Sequence, residues 1–145
     1  MAYTLQDTRT ISLAQGEDLS SAQFQFVKLG TDGTVRVCDK LSAPLGILEN
    51  TPSAGVTGTN GSYQPGQYYA TVSVDGVTRI AVDGAYSAGT LLVPSASTPG
   101  YGSSIANANT SWLYARAISL QASTTGGDII GCRLIGPVGA TGFNG

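Results

Sequence analysis

Hydrophobic and polar residues alternate along this chain in short stretches, and glycine-containing turns separate those stretches. The segment 24–38, FQFVKLGTDGTVRVC, predicts a β-hairpin whose three-residue loop, 31–33, ends at Gly33. The last loop position needs a positive φ angle, which glycine adopts without a steric penalty. In this register one face of the hairpin carries four aliphatic side chains: Val27, Leu29, Val35 and Val37.

The segment 69–82, YATVSVDGVTRIAV, predicts a second hairpin with the loop 74–76 and a positive φ at Gly76. The hydrophobic pattern selects this register, because a slip of one residue would move every side chain to the opposite face. The register places these side chains on the buried face: Ala70, Val72, Ile80 and Val82. It places Thr71, Ser73 and Arg79 on the outward face.

Further strands are predicted at 45–49, 91–93, 114–120 and 128–135, with long loops at 51–67 and 94–111. No segment has a clear helical pattern. We therefore expect an all-β fold, a single small β-barrel or β-sandwich. The predicted organisation is an N-terminal arm at 1–20, a β domain at 21–135 and a Gly-rich tail at 136–145. The tail has three Gly-x-y triplets, which indicate either a flexible end or three tails that meet near a three-fold axis.

The composition supports this fold class and limits the kinds of catalytic and metal site that the chain can contain. The chain has 145 residues, 20 glycines and only 11% charged residues, against about 25% in typical domains. It has no histidine, which excludes Ser-His-Asp and Cys-His catalysis and histidine-bearing metal sites. Asp32, Asp75 and Asp83 each precede a glycine, as turn residues do. We expect no catalytic, cofactor-binding or metal-binding site, and we do not expect an enzyme.

Charge and hydropathy also limit the partners. The net charge is −2 and the Lys and Arg residues are scattered singly, which argues against direct nucleic-acid binding. No apolar run is long enough to span a membrane, and the first residues lack the apolar core of a signal peptide. We expect a soluble protein that is made in a cytoplasm. Cys38 and Cys132 each lie in an apolar run. We expect either two small buried side chains or a long-range disulfide between them.

Two groups of residues are candidates for contacts with a partner. The weak alternation in the first residues predicts an extended arm or an edge strand. The candidates on the arm are Tyr3, Leu5, Arg9, Ile11 and Leu13. The aromatic candidates in or near loops are Tyr63, Tyr68, Tyr69, Tyr101 and Trp112. Such aromatic residues are enriched at interfaces, but they would also cap the ends of a barrel or line a sugar-binding surface.

Three motifs in order carry a family resemblance: PLGILENTPSAG at 44–55, VDGVTRIAVDGAYSAG at 74–89 and ARAISLQASTTGGDII at 115–130. Over about residues 16–136 the chain resembles the bacteriophage capsid cement, or head decoration, proteins. These are small all-β proteins, and the motifs consist of turn and core residues that fix no functional side chain.

The resemblance implies a structural protein on the outer capsid surface of a virion that is assembled in the host cytoplasm. Such proteins commonly sit as homotrimers at three-fold or quasi-three-fold positions. They bridge neighbouring subunits of the major capsid protein and stabilise the head against the pressure of packaged DNA. The arm would then add a strand to the sheet edge of a capsid subunit. The alternative is a head- or tail-associated adhesive module that contacts a host surface glycan.

Overall fold

The computed structural model describes residues 9–52, 56–57, 63–64, 69–104 and 114–139. These residues contain strands and turns but no helix, and thus no helix that could cross a membrane. The strands are β1 (Arg9–Leu13), β2 (Phe26–Leu29), β3 (Val35–Val37), β4 (Gly46–Leu48), β5 (Val56–Thr57), β6 (Tyr63–Gln64), β7 (Ala70–Asp75), β8 (Val77–Ala81), β9 (Leu91–Pro94), β10 (Gly102–Ser104), β11 (Tyr114–Ser119) and β12 (Ile129–Gly139).

The strands form two antiparallel five-stranded sheets and one short pair, β5–β6. The order in the first sheet is β1-β7-β4-β2-β3, and the order in the second sheet is β10-β9-β11-β12-β8. The all-β prediction is confirmed. Of the two architectures that the sequence left open, the described strands form a β-sandwich and do not close into a barrel.

The main core lies between the two sheets. The first sheet and the turns beside it contribute Phe26, Cys38 and Ile47. The second sheet and its flanks contribute Ile80, Val82, Leu92, Ala117, Ile130, Cys132 and Leu134. Both cysteines are free thiols in this core, so the long-range disulfide is not present. Burial raises the pKa of each thiol to about 12.

A second apolar cluster covers the outer face of the first sheet. Leu19 and Ala22, from the segment between β1 and β2, pack there against the aliphatic side chains of β2, β3, β4 and β7. Leu19 is fully buried, and Gln15 forms a bridge to Val35 of β3. The predicted arm, 1–20, therefore does not stand apart from the β domain. From Arg9 onwards it is an edge strand followed by a cover for the first sheet.

The first predicted hairpin is confirmed. Strands β2 and β3 pair with Val27 opposite Val37 and Leu29 opposite Val35, and Gly33 has a φ of 81°. The loop closes through a hydrogen bond from the Gly30 N–H to the Thr34 carbonyl, 2.7 Å long.

The second predicted hairpin is wrong. Strand β7 pairs with β1 and β4, whereas β8 pairs with β12 in the other sheet. Gly76 has the expected positive φ, 90°, but the chain crosses there from one sheet to the other. Ser73, predicted to face outward, is fully buried. The alternation of residues correctly marks buried aliphatic positions on both strands, but it carries no information about which strand each one pairs with.

The ends of two predicted segments also differ. Strand β12 continues to Gly139, so the predicted tail at 136–145 begins with four strand residues. Gly139 pairs with Tyr114 and Val138 pairs with Ala115, beyond an irregularity in the register of β11. Pro137 lies at this irregularity, where a residue without an N–H is tolerated in a sheet. Strands β5, β6 and β10 lie in segments predicted as loops.

Candidate interaction surface

Two adjoining cavities lie on the side of the sandwich where the edge strands β1 and β8 meet. One, of about 460 Å³, is a recess that reaches Glu49 and Ser73. The other, of about 730 Å³, extends over the outer face of the second sheet to Leu120 and Ile129. They share four lining residues: Phe24, Val77, Thr78 and Arg79.

Phe24 holds the two sheets together beside these cavities. Its N–H donates to the Leu48 carbonyl of the first sheet at 2.7 Å, and its carbonyl accepts from the Ala81 N–H of the second sheet at 2.8 Å. Its φ of 64° is left-handed, which is rare for a residue with a bulky side chain. The two hydrogen bonds hold the backbone of Phe24 in this strained conformation. Residues with a strained backbone often lie at binding sites.

The recess has a polar floor. The carboxylate of Glu49 accepts hydrogen bonds from Ser73 Oγ, at 2.6 Å, and from Thr78 Oγ1. Ser73 belongs to the first sheet and Thr78 to the second, so Glu49 joins the sheets near Phe24. Thr10 of β1 and Arg79 of β8 complete the rim.

The outer face of the second sheet exposes apolar side chains. Leu92 of β9 and Ile130 of β12 point into the main core, so the alternating neighbours of these residues point outward. Val93 and Ala115 are buried on this outer face, but Leu120 is 46% exposed and Ile129 is 51% exposed. Both sandwich faces thus have buried and exposed aliphatic groups. Leu19 and Ala22 cover the middle of the first sheet and leave Ile11 and Leu29 exposed at its margins, whereas on the second sheet Leu120 and Ile129 are exposed beside the larger cavity.

Strand β1 is held mainly by its backbone. It pairs with β7 through five residues, with an irregularity at Arg9. Arg9 and Ile11 are exposed, and only Leu13 is partly buried, against the cluster on the first sheet. Of the predicted arm candidates, these three therefore lie on an edge strand. Tyr3 and Leu5 lie outside the described residues.

The aromatic candidates do not form one surface in the described part of the chain. Tyr69 is 61% exposed, and its carbonyl accepts from Asn50 Nδ2 at the start of β7. Tyr101 is half-buried in the turn before β10, in the other sheet. The backbone of Tyr63 lies in β6, and its side chain is outside the described set, as are Tyr68 and Trp112.

A smaller cavity, of about 300 Å³, is lined by hydroxyl groups and one carboxylate. Its lining includes Asp83, Tyr86, Ser97 and Ser103. The Asp83 carboxylate accepts hydrogen bonds from the Tyr86 hydroxyl and from Ser95 Oγ. The Tyr86 hydroxyl also lies 3.3 Å from Ser103 Oγ.

The carboxylates of the described residues are hydrogen-bonded within the fold. Every Asp and Glu in these ranges accepts at least one hydrogen bond, namely Glu17, Asp18, Asp32, Asp39, Glu49, Asp75, Asp83 and Asp128. Most of them cap turns, and no group of three potential metal ligands occurs among the described residues.

The turn carboxylates have perturbed pKa values for the same reason. The hydroxyl and N–H of Thr34 hold the pKa of Asp32 below its usual value. A hydrogen bond from Lys28 does the same for the pKa of Asp39, and the N–H groups of Thr124 and Thr125 do so for Asp128. These shifts indicate carboxylates that stabilise turns in their charged form.

Comparison with known proteins gives no assignment: no protein-family model and no curated protein sequence matches the chain. The surface above was not predicted from the sequence. Leu120 and Ile129 resemble ordinary strand-end residues, and Phe24 resembles the start of a hairpin. The pairing of β12 with β11 and with β8, and the hydrogen bond from the Ala81 N–H to Phe24, bring them together.

Proposed function

We propose that the protein is a structural virion component that binds the outer surface of a phage capsid. It cements neighbouring major capsid subunits and stabilises the head against internal DNA pressure. The observation that carries the proposal is the apolar outer face of the second sheet, next to an edge strand that is held mainly by its backbone. The ordered motifs at 44–55, 74–89 and 115–130 resemble those of capsid cement proteins, so the partner that we propose is the major capsid protein.

This surface suits attachment to a large, repetitive assembly. Removing apolar area from water contributes about 25 cal/mol per Å², so a patch around Leu120 and Ile129 gives each copy modest affinity. Many weak contacts on one shell give firm attachment when copies or subunits act together. The low net charge of −2 limits repulsion between adjacent copies.

The test is co-sedimentation with heads of the encoding phage that have been assembled without this protein. The double substitution Leu120→Ser and Ile129→Ser should lower head occupancy at least tenfold at a fixed protein concentration. Leu41→Ser is the matched control, because Leu41 is 58% exposed but lies in a turn of the first sheet. Equal occupancy of the double variant and the wild type, or no binding by the wild type, would contradict the proposal.

We also propose that the decorating unit is a homotrimer. Light scattering at several concentrations measures this directly. A mass of three chains at every concentration supports a trimer formed before docking. A monomer at every concentration contradicts a preformed trimer. Trimers would then form only on the capsid surface.

A second candidate function, adhesion to a glycan, is favoured by the cavity around Asp83. Its volume suits one sugar ring, and hydroxyl and carboxylate groups are the usual partners of sugar hydroxyls. Titration with neutral monosaccharides, followed by amide shifts of Ser97 and Ser103, tests it. Saturable shifts that Ser97→Ala weakens would support adhesion, and unchanged spectra at millimolar sugar would remove it.

A further inference from the structure

The Glu49 carboxylate lies at the floor of the recess between β1 and β8, in a fixed position. The Glu49 N–H donates to the Thr71 carbonyl at 2.8 Å, and the Glu49 carbonyl accepts from Gln23 Nε2 at 2.9 Å. Ser73 Oγ and Thr78 Oγ1 both donate to the same carboxylate oxygen, Oε1. These hydrogen bonds orient the carboxylate before a ligand arrives, which lowers the ordering cost of binding.

This floor presents hydrogen-bond acceptors to a ligand. The hydroxyls of Ser73 and Thr78 each use their single hydrogen on Glu49, so only their lone pairs remain. The second carboxylate oxygen of Glu49, Oε2, accepts no hydrogen bond from the described residues. An ammonium group has three donors and no acceptor, so it matches such a floor in both charge and hydrogen bonding. A carboxylate would be repelled by the same groups.

The recess is also lined by a cation. Arg79 is exposed on β8 and lies at the rim. Neither Glu49 nor Arg79 forms an ion pair within the part of the chain that the structure describes. The ion pairs found there are elsewhere: Lys28–Asp39 and Arg36–Asp32. The recess therefore has an unpaired anion at its floor and an unpaired cation at its rim, and one ligand that carries both charges can meet both groups.

We propose that this recess binds a small zwitterion, an amine that also carries a carboxylate, as an amino acid does. The ammonium group lies on Glu49 and the carboxylate lies at Arg79. The volume of about 460 Å³ is within the usual range for small-molecule sites, about 300–1,000 Å³. Phe24 also lines the recess, and an aromatic ring attracts a cation rather than an anion.

The proposed contacts use side chains only. The backbone edge of β8 is already engaged, because the Ala81 N–H donates to the Phe24 carbonyl and Val77 has a further interaction. The inference is independent of the proposed function, since it concerns the free protein and a different set of residues from Leu120 and Ile129.

The first test is a titration of the full chain in solution, followed by the amide shifts of Thr78 and Arg79. The zwitterionic probes are glycine and β-alanine, which differ in the separation of their two charges. Ethylamine and propionate are the matched controls, because each keeps one charged group of β-alanine and lacks the other.

The expected result is a saturable shift at millimolar concentration with at least one zwitterion, a weaker one with ethylamine and none with propionate. The absence of saturable shifts with both zwitterions would overturn the proposal. An affinity for either single-charge control as high as that for the zwitterions would overturn it as well. No heads are present, so the outcome does not depend on capsid binding.

Substitutions then test the two charged residues. Glu49→Gln keeps an oxygen that accepts from Ser73 and Thr78 but removes the charge, and it should weaken zwitterion binding at least about tenfold. Arg79→Met should lower the affinity for the zwitterion to that for ethylamine. Arg133→Met is the control, because it removes the same charge from an exposed position of β12 that does not line the recess.

Arg79→Met decides the proposal even where Glu49→Gln lowers stability, because Arg79 is exposed. Equal zwitterion affinities of Arg79→Met and Arg133→Met would overturn the proposal. A folded Glu49→Gln variant that binds the zwitterion as tightly as the wild type would do the same.

Discussion

Single glycines show where close backbone contact determines the fold. Gly46 lies in β4 at the centre of the first sheet, where an added Cβ would overlap the carbonyl oxygen of Ser73 in β7. That oxygen belongs to the backbone of a paired strand, so it cannot rotate away. Its position is a consequence of sheet pairing and could not be predicted from the segment 44–55.

We predict that Gly46→Ala lowers the free energy of unfolding by about 3 kcal/mol, the upper range for overpacking a core. Chemical denaturation measures this value. Gly136→Ala is the control, because an added Cβ at Gly136 meets no atom within 4 Å. A loss below 1 kcal/mol for Gly46→Ala would show that strands β4 and β7 are not in close contact.

A substitution at Gly33 measures the cost of a left-handed backbone without a packing effect. Its φ is 81°, and an added Cβ there has no neighbour within 4 Å. Gly33→Ala should therefore cost about 1 kcal/mol through the left-handed backbone alone. Gly136, which does not have a positive φ, is again the control. Identical denaturation midpoints for the two variants would be inconsistent with the three-residue hairpin loop.

At the scale of elements, local and long-range pairing differ in how far the sequence determines them. The β2–β3 hairpin follows from adjacent alternating runs and one turn glycine, so sequence reasoning predicted its register. Strands β7 and β8 have the same kind of pattern around Gly76, yet they belong to different sheets. Their partners, β4 and β12, are distant in sequence, and hydrophobic periodicity does not encode that choice.

Arg116 joins the two sheets through backbone acceptors. Its side chain, buried in β11, donates to the carbonyls of Leu45 and Val74 in and beside the first sheet, at 3.0 and 2.7 Å, and to that of Ile135 in β12. Burial lowers the pKa of the guanidinium, and nearby Asp75 opposes that effect. No local pattern of residues around position 116 marks this arginine as internal.

We predict that Arg116→Met destabilises the fold by roughly 2–4 kcal/mol, since three partly buried carbonyls lose a charged donor. Thermal and chemical denaturation both report this loss. Arg133→Met, at an exposed position of β12, should change stability by less than about 0.5 kcal/mol. Equal effects of the two substitutions would mean that Arg116 does not bridge the sheets.

At the scale of the whole molecule, pH should act through the turn carboxylates. The pKa values of Asp18, Asp32, Asp39 and Asp128 are lowered in the folded state from an ordinary value of 3.8. A lowered folded pKa contributes stability above the unfolded pKa, and this contribution is lost as pH falls through the folded pKa. The chain has no histidine to titrate near neutrality.

The free energy of unfolding should therefore be nearly constant between about pH 5 and 8 and decline below about pH 4. Urea denaturation at a series of pH values measures this profile. The carboxylates are largely exposed, so the decline should be gradual. A midpoint of the decline near pH 6 would contradict the assignment of these hydrogen bonds.

The candidate surface is a property of the whole molecule as well. The sequence predicted contacts through an arm and through loop aromatics. In the folded chain the described part of that arm is β1 and part of the cover of the first sheet, and the exposed Leu120 and Ile129 lie beside β11 and in β12. Sequence reasoning could not identify this face, because it depends on which distant strands pair side by side in the second sheet.

The most direct test of the central claim is a reconstruction of decorated heads by electron cryomicroscopy, with this fold placed in the density. We predict that the outer face of the second sheet, with Leu120 and Ile129, lies against the major capsid protein. A density in which that face points to solvent, and the covered face of the first sheet contacts the shell, would contradict it.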